Sequence, residues 1–153
     1  MIVRSPEAIP ETGRAVFLAG SIEMGLAHNW QVDAEKKLSL AGLIVLNPRR
    51  DDWDKNWLPI RENPKFVEQV RWELDALERA DFILMYFDPN TKSPISLLEL
   101  GLFASSGKII VVCPDGFWRK GNVDLVSERY NLRQVETLDM AIQNILDMNI
   151  SEK

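Results

Sequence analysis

The sequence predicts a single α/β domain in which a parallel sheet of about five strands lies between two layers of helices. Short apolar runs alternate with helical patterns along the chain, and the runs are continuous rather than alternating in polarity. Continuous apolar runs are typical of strands buried on both faces, as in parallel sheets. Because strand–helix–strand crossovers are right-handed, the pattern favours a doubly wound, flavodoxin-like three-layer sandwich with strand order 2-1-3-4-5.

Five segments are predicted strands, and most of them end at Gly, Pro, Asn or Asp, which terminate strands. They are residues 15–19, 43–46, 82–87, 108–113 and, with the weakest pattern, 132–135. Helices are predicted at residues 28–40, 65–79, 94–105 and 138–148. The polar stretch 51–64 contains two prolines and is predicted to be a loop.

Composition restricts the class of function. The 153 residues fit one domain, and 46% apolar with 27% charged residues is an ordinary globular balance. A net charge of −5 argues against a nucleic-acid partner. One cysteine and one histidine leave no basis for a disulfide framework or a zinc site. Without a signal-like segment or an apolar run of membrane-spanning length, we expect a cytoplasmic protein with no membrane partner.

Ligands of doubly wound sheets bind beyond the carboxyl ends of the strands, so the site is sought there. Gly20 and Ser21 follow the first predicted strand, where a turn lets backbone approach a ligand beside a hydroxyl group. Arg49 follows the second strand and could meet an anionic ligand. Many α/β proteins have a Gly-Ser turn without a ligand, so these residues alone do not define a site.

Glu99 is the first candidate catalytic acid. From residue 95 to residue 104 only Ser96 and Glu99 are polar, so this helix is predicted to be buried nearly all round. A buried carboxylate is costly unless it is hydrogen-bonded, paired or used in function. A glutamate at the one solvent-facing position of the helix is an equally open interpretation.

Glu73 is the second candidate acid, chosen by helical phase. At about 100° per residue, an apolar face forms on the helix at residues 65–79. Glu73 falls at the edge of this face, whereas Asp75 points almost the opposite way. Glu73 is therefore expected to approach the sheet, although a rim position with its head group in water is also open. The residues assigned to the face are Phe66, Val67, Val70, Leu74 and Leu77.

Four motifs together resemble the nucleoside 2-deoxyribosyltransferase family, in its shorter deoxyribosyltransferase-like branch. They are residues 17–22, residues 72–74 running into 80–81, residues 93–101 and residues 121–124. The resemblance implies that Glu99 is the nucleophile that takes the deoxyribosyl group. It also places the family's site aspartate eight residues before Asp81, at Glu73. Asn122 matches an asparagine that reaches into a neighbouring subunit's site.

The sequence departs from the family pattern at three of these positions. Phe17 stands where the family often has a tyrosine that orients the nucleophile, and Ser93 replaces an acid of the transferases. Glu73 is one methylene longer than the family's aspartate. Ser21 and Ser93 resemble positions that contact phosphate in the related deoxynucleoside 5′-monophosphate N-glycosidases. Asn122 instead resembles the transferases.

The resemblance implies an enzyme that cleaves the N-glycosidic bond of a nucleoside or deoxynucleoside without a metal or organic cofactor. Transfer of the sugar to a second nucleobase is the first hypothesis, hydrolysis of a 5′-monophosphate the second, and a non-catalytic nucleotide-binding module the third. A homo-oligomer with a shared active site is expected. Its interface is predicted at residues 116–122, where Phe117 and Trp118 look exposed.

Overall fold

The computed structural model describes residues 1–22, 29–50, 52–54 and 56–151. Six strands form one sheet in the order β1-β3-β2-β4-β5-β6, and every neighbouring pair is parallel. The strands are β1 (Ile2–Arg4), β2 (Ala15–Gly20), β3 (Ile44–Asn47), β4 (Phe82–Tyr86), β5 (Ile109–Val112) and β6 (Arg133–Val135). The helices of the described part are α1 (Gln31–Leu40), α2 (Pro64–Arg79), α3 (Pro94–Phe103), α4 (Lys120–Tyr130) and α5 (Leu138–Ser151).

The predicted doubly wound sandwich is confirmed, with one additional strand. The five predicted strands correspond to β2 to β6 and lie in the predicted order. β1 adds a sixth strand at the edge, beside β3. With three residues it is too short to give a periodic pattern, and its place depends on pairing with β3. The predicted start of the first helix at residue 28 lies outside the described residues.

Helix α4 is the second element that the sequence did not indicate. Gly121 lies in its first turn, and few of its residues are apolar, so its intrinsic helix signal is weak. Val123 is fully buried in the core, so tertiary packing stabilises the helix where local propensity does not. Asn131 ends it in the left-handed conformation, at φ 53°.

Alternate residues of the strands point into two separate cores. On one face Phe17 of β2 packs with Trp72 of α2, Leu100 of α3 and Val123 of α4. On the other face α1 and α5 cover the alternate strand residues, with Trp30, Leu38 and Ile145 among their largest buried side chains. Both acids chosen from the sequence, Glu73 and Glu99, therefore lie on helices of the first face.

Helix α2 begins as its sequence dictates, but its buried face differs from the predicted one. The Asn63 side chain accepts hydrogen bonds from the backbone of Lys65 and Phe66, and Pro64 occupies the first helical position. The buried residues are Gln69, Trp72, Ala76 and Leu77. Leu74 was assigned to the apolar face but is 38% exposed. The polar Gln69 takes a buried place because its amide is fully hydrogen-bonded, which a pattern of apolar residues cannot reveal.

Within the described ranges no helix combines the length and the apolar character that crossing a bilayer requires.

Candidate active site

The turn after β2 requires glycine. Gly20 has φ +137°, and a Cβ placed on it would lie 2.2 Å from the Tyr86 carbonyl oxygen. No L side chain fits at that distance. Ser21 follows, and its backbone N–H donates to the same Tyr86 oxygen at 3.0 Å. The close approach of β2 to β4 therefore places the Ser21 side chain at the carboxyl edge of the sheet.

Three hydroxyl groups meet at this edge and form a buried cluster. The Ser21 Oγ lies 2.5 Å from the Ser93 Oγ and 2.8 Å from the Thr91 Oγ1, and the last two are 2.8 Å apart. The Asp88 backbone N–H donates to the Ser21 Oγ at 2.9 Å. Ser21 and Ser93 were both selected from the sequence, and the structure brings them together. Thr91 was missed, although it stands two residues before Ser93.

Ser93 begins α3, but its hydroxyl does not cap the helix. Its backbone is left-handed, at φ 46° and ψ 52°, and its side chain makes no cap hydrogen bond. The hydroxyl turns instead to Ser21 and Thr91. A non-glycine residue in this conformation is held there by its surroundings, and such residues cluster at functional sites.

Glu99 lies one turn and a half into α3 and is 7% exposed. Its carboxyl group receives no hydrogen bond and no ion pair from any residue that the structure describes. Burial raises the pKa of Glu99 from its ordinary 4.5 to about 8, and the charge of Glu73 contributes to the rise. Among the described residues, Glu99 is thus a buried acid without a partner that would offset its charge.

Glu73 extends from α2 toward Glu99, whereas Asp75 does not. Burial raises the pKa of the Glu73 carboxyl, and a hydrogen bond from Gln69 opposes the rise. Asp75 is exposed and lines a groove on the opposite side of α2 with the N-terminal segment 6–11. The structure thus brings Glu73 and Glu99 together and separates Asp75 from them. In the described part of the chain, no three acids, histidines or cysteines gather as metal ligands.

Gln69 and Ser5 form a hydrogen-bonded chain that ends at Glu73. The Ser5 Oγ donates to the Gln69 Oε1 at 2.6 Å. The Gln69 Nε2 donates to the Pro48 carbonyl and to the Glu73 Oε1, each at 2.8 Å. The sequence analysis missed both residues. Gln69 stands four residues before Glu73 on the same helix face, which is a readable signal, but Ser5 lies far away in the chain.

Phe17 and Arg49 take different positions around the acids. Phe17 is fully buried on the face that carries α2 and α3, with its ring 6.5 Å from the Trp72 ring. Arg49 follows β3, and its backbone N–H donates to the Asn47 Oδ1 at 2.9 Å. The Arg49 Nη1 is buried and has no hydrogen-bond partner among the described residues. A buried cationic donor without a partner is available to a ligand.

Two expectations about residues 116–122 were wrong. Phe117 is buried, with its ring 4.9 Å from the Phe87 ring, so of the pair only Trp118 is exposed. Asn122 does not lie in a loop but in the first turn of α4. It is exposed and lines a groove of about 300 Å³ between α3 and α4. The sequence between Phe117 and Asn122 contains few apolar residues, so it does not indicate where the loop ends and α4 begins.

An aromatic pair stands in the loop between β3 and α2. The rings of Trp53 and Trp57 are 5.1 Å apart. The buried Arg50 guanidinium lies 5.3 Å from the Trp57 ring and pairs with Asp52 and Glu68 at 2.8 and 3.0 Å. The ion pairs attach this loop to α2, the helix that carries Glu73.

The chain is similar to a small part of two much longer proteins. The chain is 33% identical over 92 residues to the membrane-bound lytic murein transglycosylase F of Shewanella oneidensis and to that of Shewanella baltica. The match covers 58% of this chain and 18% of each relative. The chain thus spans less than a fifth of the length of these relatives.

A family match covers the region that builds the site. The family described as nucleoside 2-deoxyribosyltransferase like matches residues 13–117, more than half of the chain. The match includes β2, both acid-bearing helices and the hydroxyl cluster, and it ends before α4. The chain belongs to the nucleoside 2-deoxyribosyltransferase-like family.

Proposed function

We propose that the protein is an enzyme that cleaves the N-glycosidic bond of a nucleoside or deoxynucleoside and transfers the sugar to another nucleobase. Glu99 is the nucleophile of this reaction. The observation that carries the proposal is the buried Glu99 carboxyl, which accepts no hydrogen bond from the described residues and whose pKa is raised by burial and by the charge of Glu73. Keeping such a group opposes folding, and function is the reason to retain it. The family match supports a nucleoside substrate.

Glu99 acts on the anomeric carbon. Cleavage of the C1′–N bond builds positive charge on the sugar, as in retaining glycosidases. The Glu99 carboxylate offsets that charge and forms an ester bond to C1′. The electron pair of the broken bond goes to the base nitrogen, which takes a proton from Glu73. An incoming nucleobase then attacks C1′, releases Glu99 and returns a proton to Glu73.

The two acids share one proton in this scheme. Burial raises the pKa of both carboxyl groups, and ionisation of one disfavours ionisation of the other. Both effects favour the retention of a proton by the pair. The reactive arrangement has an ionised Glu99 and a protonated Glu73, and the cationic sugar favours it because it stabilises the charge on Glu99.

The substrate contacts follow from the rest of the site. Gly20, Ser21 and Ser93 would hold the 5′ end of the sugar, and the unpaired Arg49 Nη1 would meet an anionic or carbonyl group. Phe17 would bound the site on the side of the sheet, where the family's tyrosine hydroxyl is missing.

A mixed assay tests the proposal. Deoxyinosine and free adenine are incubated with the protein, and the products are separated by chromatography. Formation of deoxyadenosine supports transfer, and release of hypoxanthine with free deoxyribose supports hydrolysis. If neither product forms with any deoxynucleoside tried, the protein is not an N-glycosidic enzyme but a nucleotide-binding module.

The hydroxyl cluster supports hydrolysis of a deoxynucleoside 5′-monophosphate as a second candidate function. Ser21, Thr91 and Ser93 present three hydroxyl groups at the start of α3, where the helix dipole favours an anion. Water would then replace the incoming nucleobase. The assay is repeated with deoxyinosine 5′-monophosphate, and a higher kcat/KM than for deoxyinosine would favour this candidate.

We also propose a homo-oligomer in which Asn122 completes the site of a neighbouring subunit. The outer face of α3 supports association, because Ile95, Leu98 and Leu102 are each more than half exposed on one stripe. Leu98→Glu should shift the protein toward the monomer in light scattering while leaving the helix content unchanged. A strict monomer of the unchanged protein at working concentration would refute this proposal.

A further inference from the structure

Glu73 is held at one of its two oxygens. The Gln69 Nε2 donates to the Glu73 Oε1 at 2.8 Å, and no described residue donates to the Oε2. The Oε1 accepts this hydrogen bond best when it is the unprotonated oxygen of the carboxyl group. When Glu73 is protonated, the proton is therefore directed to the Oε2, the oxygen left for a substrate.

The orientation of the Gln69 amide is fixed by its neighbours. Its nitrogen faces two acceptors, the Pro48 carbonyl and the Glu73 Oε1, each 2.8 Å away. Its oxygen accepts from the Ser5 hydroxyl at 2.6 Å. Rotating the amide by half a turn would place its oxygen against both acceptors, which is unfavourable. Gln69 and Ser5 are both buried, so water does not replace these contacts.

Ser5 reaches this position because β1 delivers it. Its backbone N–H donates to the Asn47 carbonyl and continues the pairing of β1 with β3 toward the carboxyl edge. Ser5 lies outside the residues that match the family, which begin at residue 13. The edge strand thus contacts the site through one hydroxyl group from outside the matched range.

We propose that Ser5 and Gln69 are positioning residues that select the Oε2 of Glu73 as its acid oxygen. The activity part of this inference rests on the proposed function, whereas the carboxyl geometry does not. Gln69 acts on Glu73 directly and Ser5 acts through Gln69. The titratable group that faces Glu73 from a neighbouring helix is Glu99 on α3.

The first test needs no activity. The side-chain carboxyl carbon of Glu73 is titrated by 13C NMR, assigned with Glu73→Gln, in the unchanged protein and in Gln69→Met. Loss of the donor should move the Glu73 titration to higher pH, because the hydrogen bond favours the ionised form. Ser5→Ala should move it in the same direction by less, and Ser5→Thr should restore it. An unchanged titration in Gln69→Met would overturn the proposal.

A matched control separates this effect from general loss of an amide. Gln143 donates to Asp147 at 2.8 Å with the same four-residue spacing, on the exposed side of α5. Gln143→Met should leave the Glu73 titration unchanged. If Gln69→Met fails to fold, as judged by circular dichroism, Ser5→Ala and Ser5→Thr carry the same test.

The second test uses turnover. Gln69→Met should lower kcat by about threefold to tenfold, the scale of one ordinary hydrogen bond, with little change in KM. The loss should not exceed that of Glu73→Gln, because Gln69 acts through Glu73. The pH profile of kcat should move to higher pH together with the NMR titration of Glu73. If Gln69→Met alters the Glu73 titration but leaves kcat unchanged, the positioning role in catalysis is refuted and the effect on the Glu73 carboxyl group stands. An unchanged protein that cleaves no deoxynucleoside would refute the proposed function and leave the NMR result standing.

Discussion

Glu35 on α1 and Glu99 on α3 are buried glutamates on helices that pack against opposite faces of the sheet. They are 5% and 7% exposed. Glu35 accepts two hydrogen bonds from the Arg4 guanidinium, at 2.9 and 2.8 Å, and one from the Asn47 amide at 2.8 Å. Glu99 accepts none from the described residues. Glu73 is intermediate in the number of its partners, because it accepts one hydrogen bond, from Gln69.

The difference teaches that two equally buried acids can differ in the number of their hydrogen-bond partners, and that number is the basis on which Glu99 is proposed as the catalytic acid. A buried carboxylate that accepts hydrogen bonds from an arginine at both oxygens and from an amide is a structural group, because its charge is offset in the folded protein. A buried carboxylate with no partner is a cost that folding alone does not explain. The three acids are therefore expected to respond differently to the same Glu→Gln change.

Glu99→Gln should have the largest effect, on turnover. The amide keeps the volume of the side chain but removes the charge that offsets the cationic sugar, and it is a far poorer nucleophile. We expect a loss of roughly hundredfold to thousandfold or more in kcat, the scale seen when one key electrostatic group is removed. Deoxynucleoside consumption measures turnover, and calorimetry should show ligand binding largely intact. Near-native turnover would mean that the nucleophile is another residue.

The same change should alter the pH dependence of stability. The pKa of Glu99 is about 8 in the folded protein and near 4.5 when unfolded, so the folded state binds more protons between these values. Its contribution to stability therefore falls as pH rises from 4.5 to 8. Relative to the unchanged protein, Glu99→Gln should gain on the order of a few kcal/mol between pH 4.5 and 9. Urea denaturation at several pH values measures this gain, and parallel curves for the two proteins would contradict it.

Glu35→Gln should behave in the opposite way. It disrupts the contact of both carboxylate oxygens with the Arg4 Nη2 and should cost about 1–3 kcal/mol in the free energy of unfolding at pH 7. The exposed side of Arg4 keeps the cost below that of a fully buried pair. Turnover should stay near that of the unchanged protein, because α1 packs on the other face of the sheet. If Glu35→Gln kept native stability but had low turnover, Glu35 would be the catalytic acid and Glu99 the structural one.

Most of the fold could be predicted from the sequence because it depends on local patterns. Four apolar runs, the weaker segment at residues 132–135 and the handedness of crossovers suffice for the order of β2 to β6. β1 and α4 could not be predicted in this way. Each is stabilised by tertiary contacts, pairing with β3 in one case and burial of Val123 in the other.

The two acids of the candidate site could be predicted, because the apolar neighbours point to Glu99 and the helical phase points to Glu73. Glu99 stands out as the single charge of an apolar helix, and the structure places it beside Glu73. The partners of the acids could not be predicted. Ser5 and Gln69 are 64 positions apart, and the hydroxyl cluster joins Ser21 to residues 70 and 72 positions away. Such contacts arise from strand order and not from sequence spacing.

Glu73→Gln should lower turnover far less than Glu99→Gln does. Glu73 already accepts one hydrogen bond and lies partly open at the edge of the site, so water can replace part of its proton donation. We expect kcat to fall by roughly tenfold, which is less than the roughly hundredfold or more that a general acid typically contributes, because water replaces part of the donation. Removing the Glu73 charge should also lower the pKa of Glu99, because that charge raises it. The pH profile of kcat/KM and the 13C titration of Glu99 measure both effects. A loss as large as that of Glu99→Gln, with an unchanged Glu99 titration, would show that Glu73 is the residue attacking the sugar.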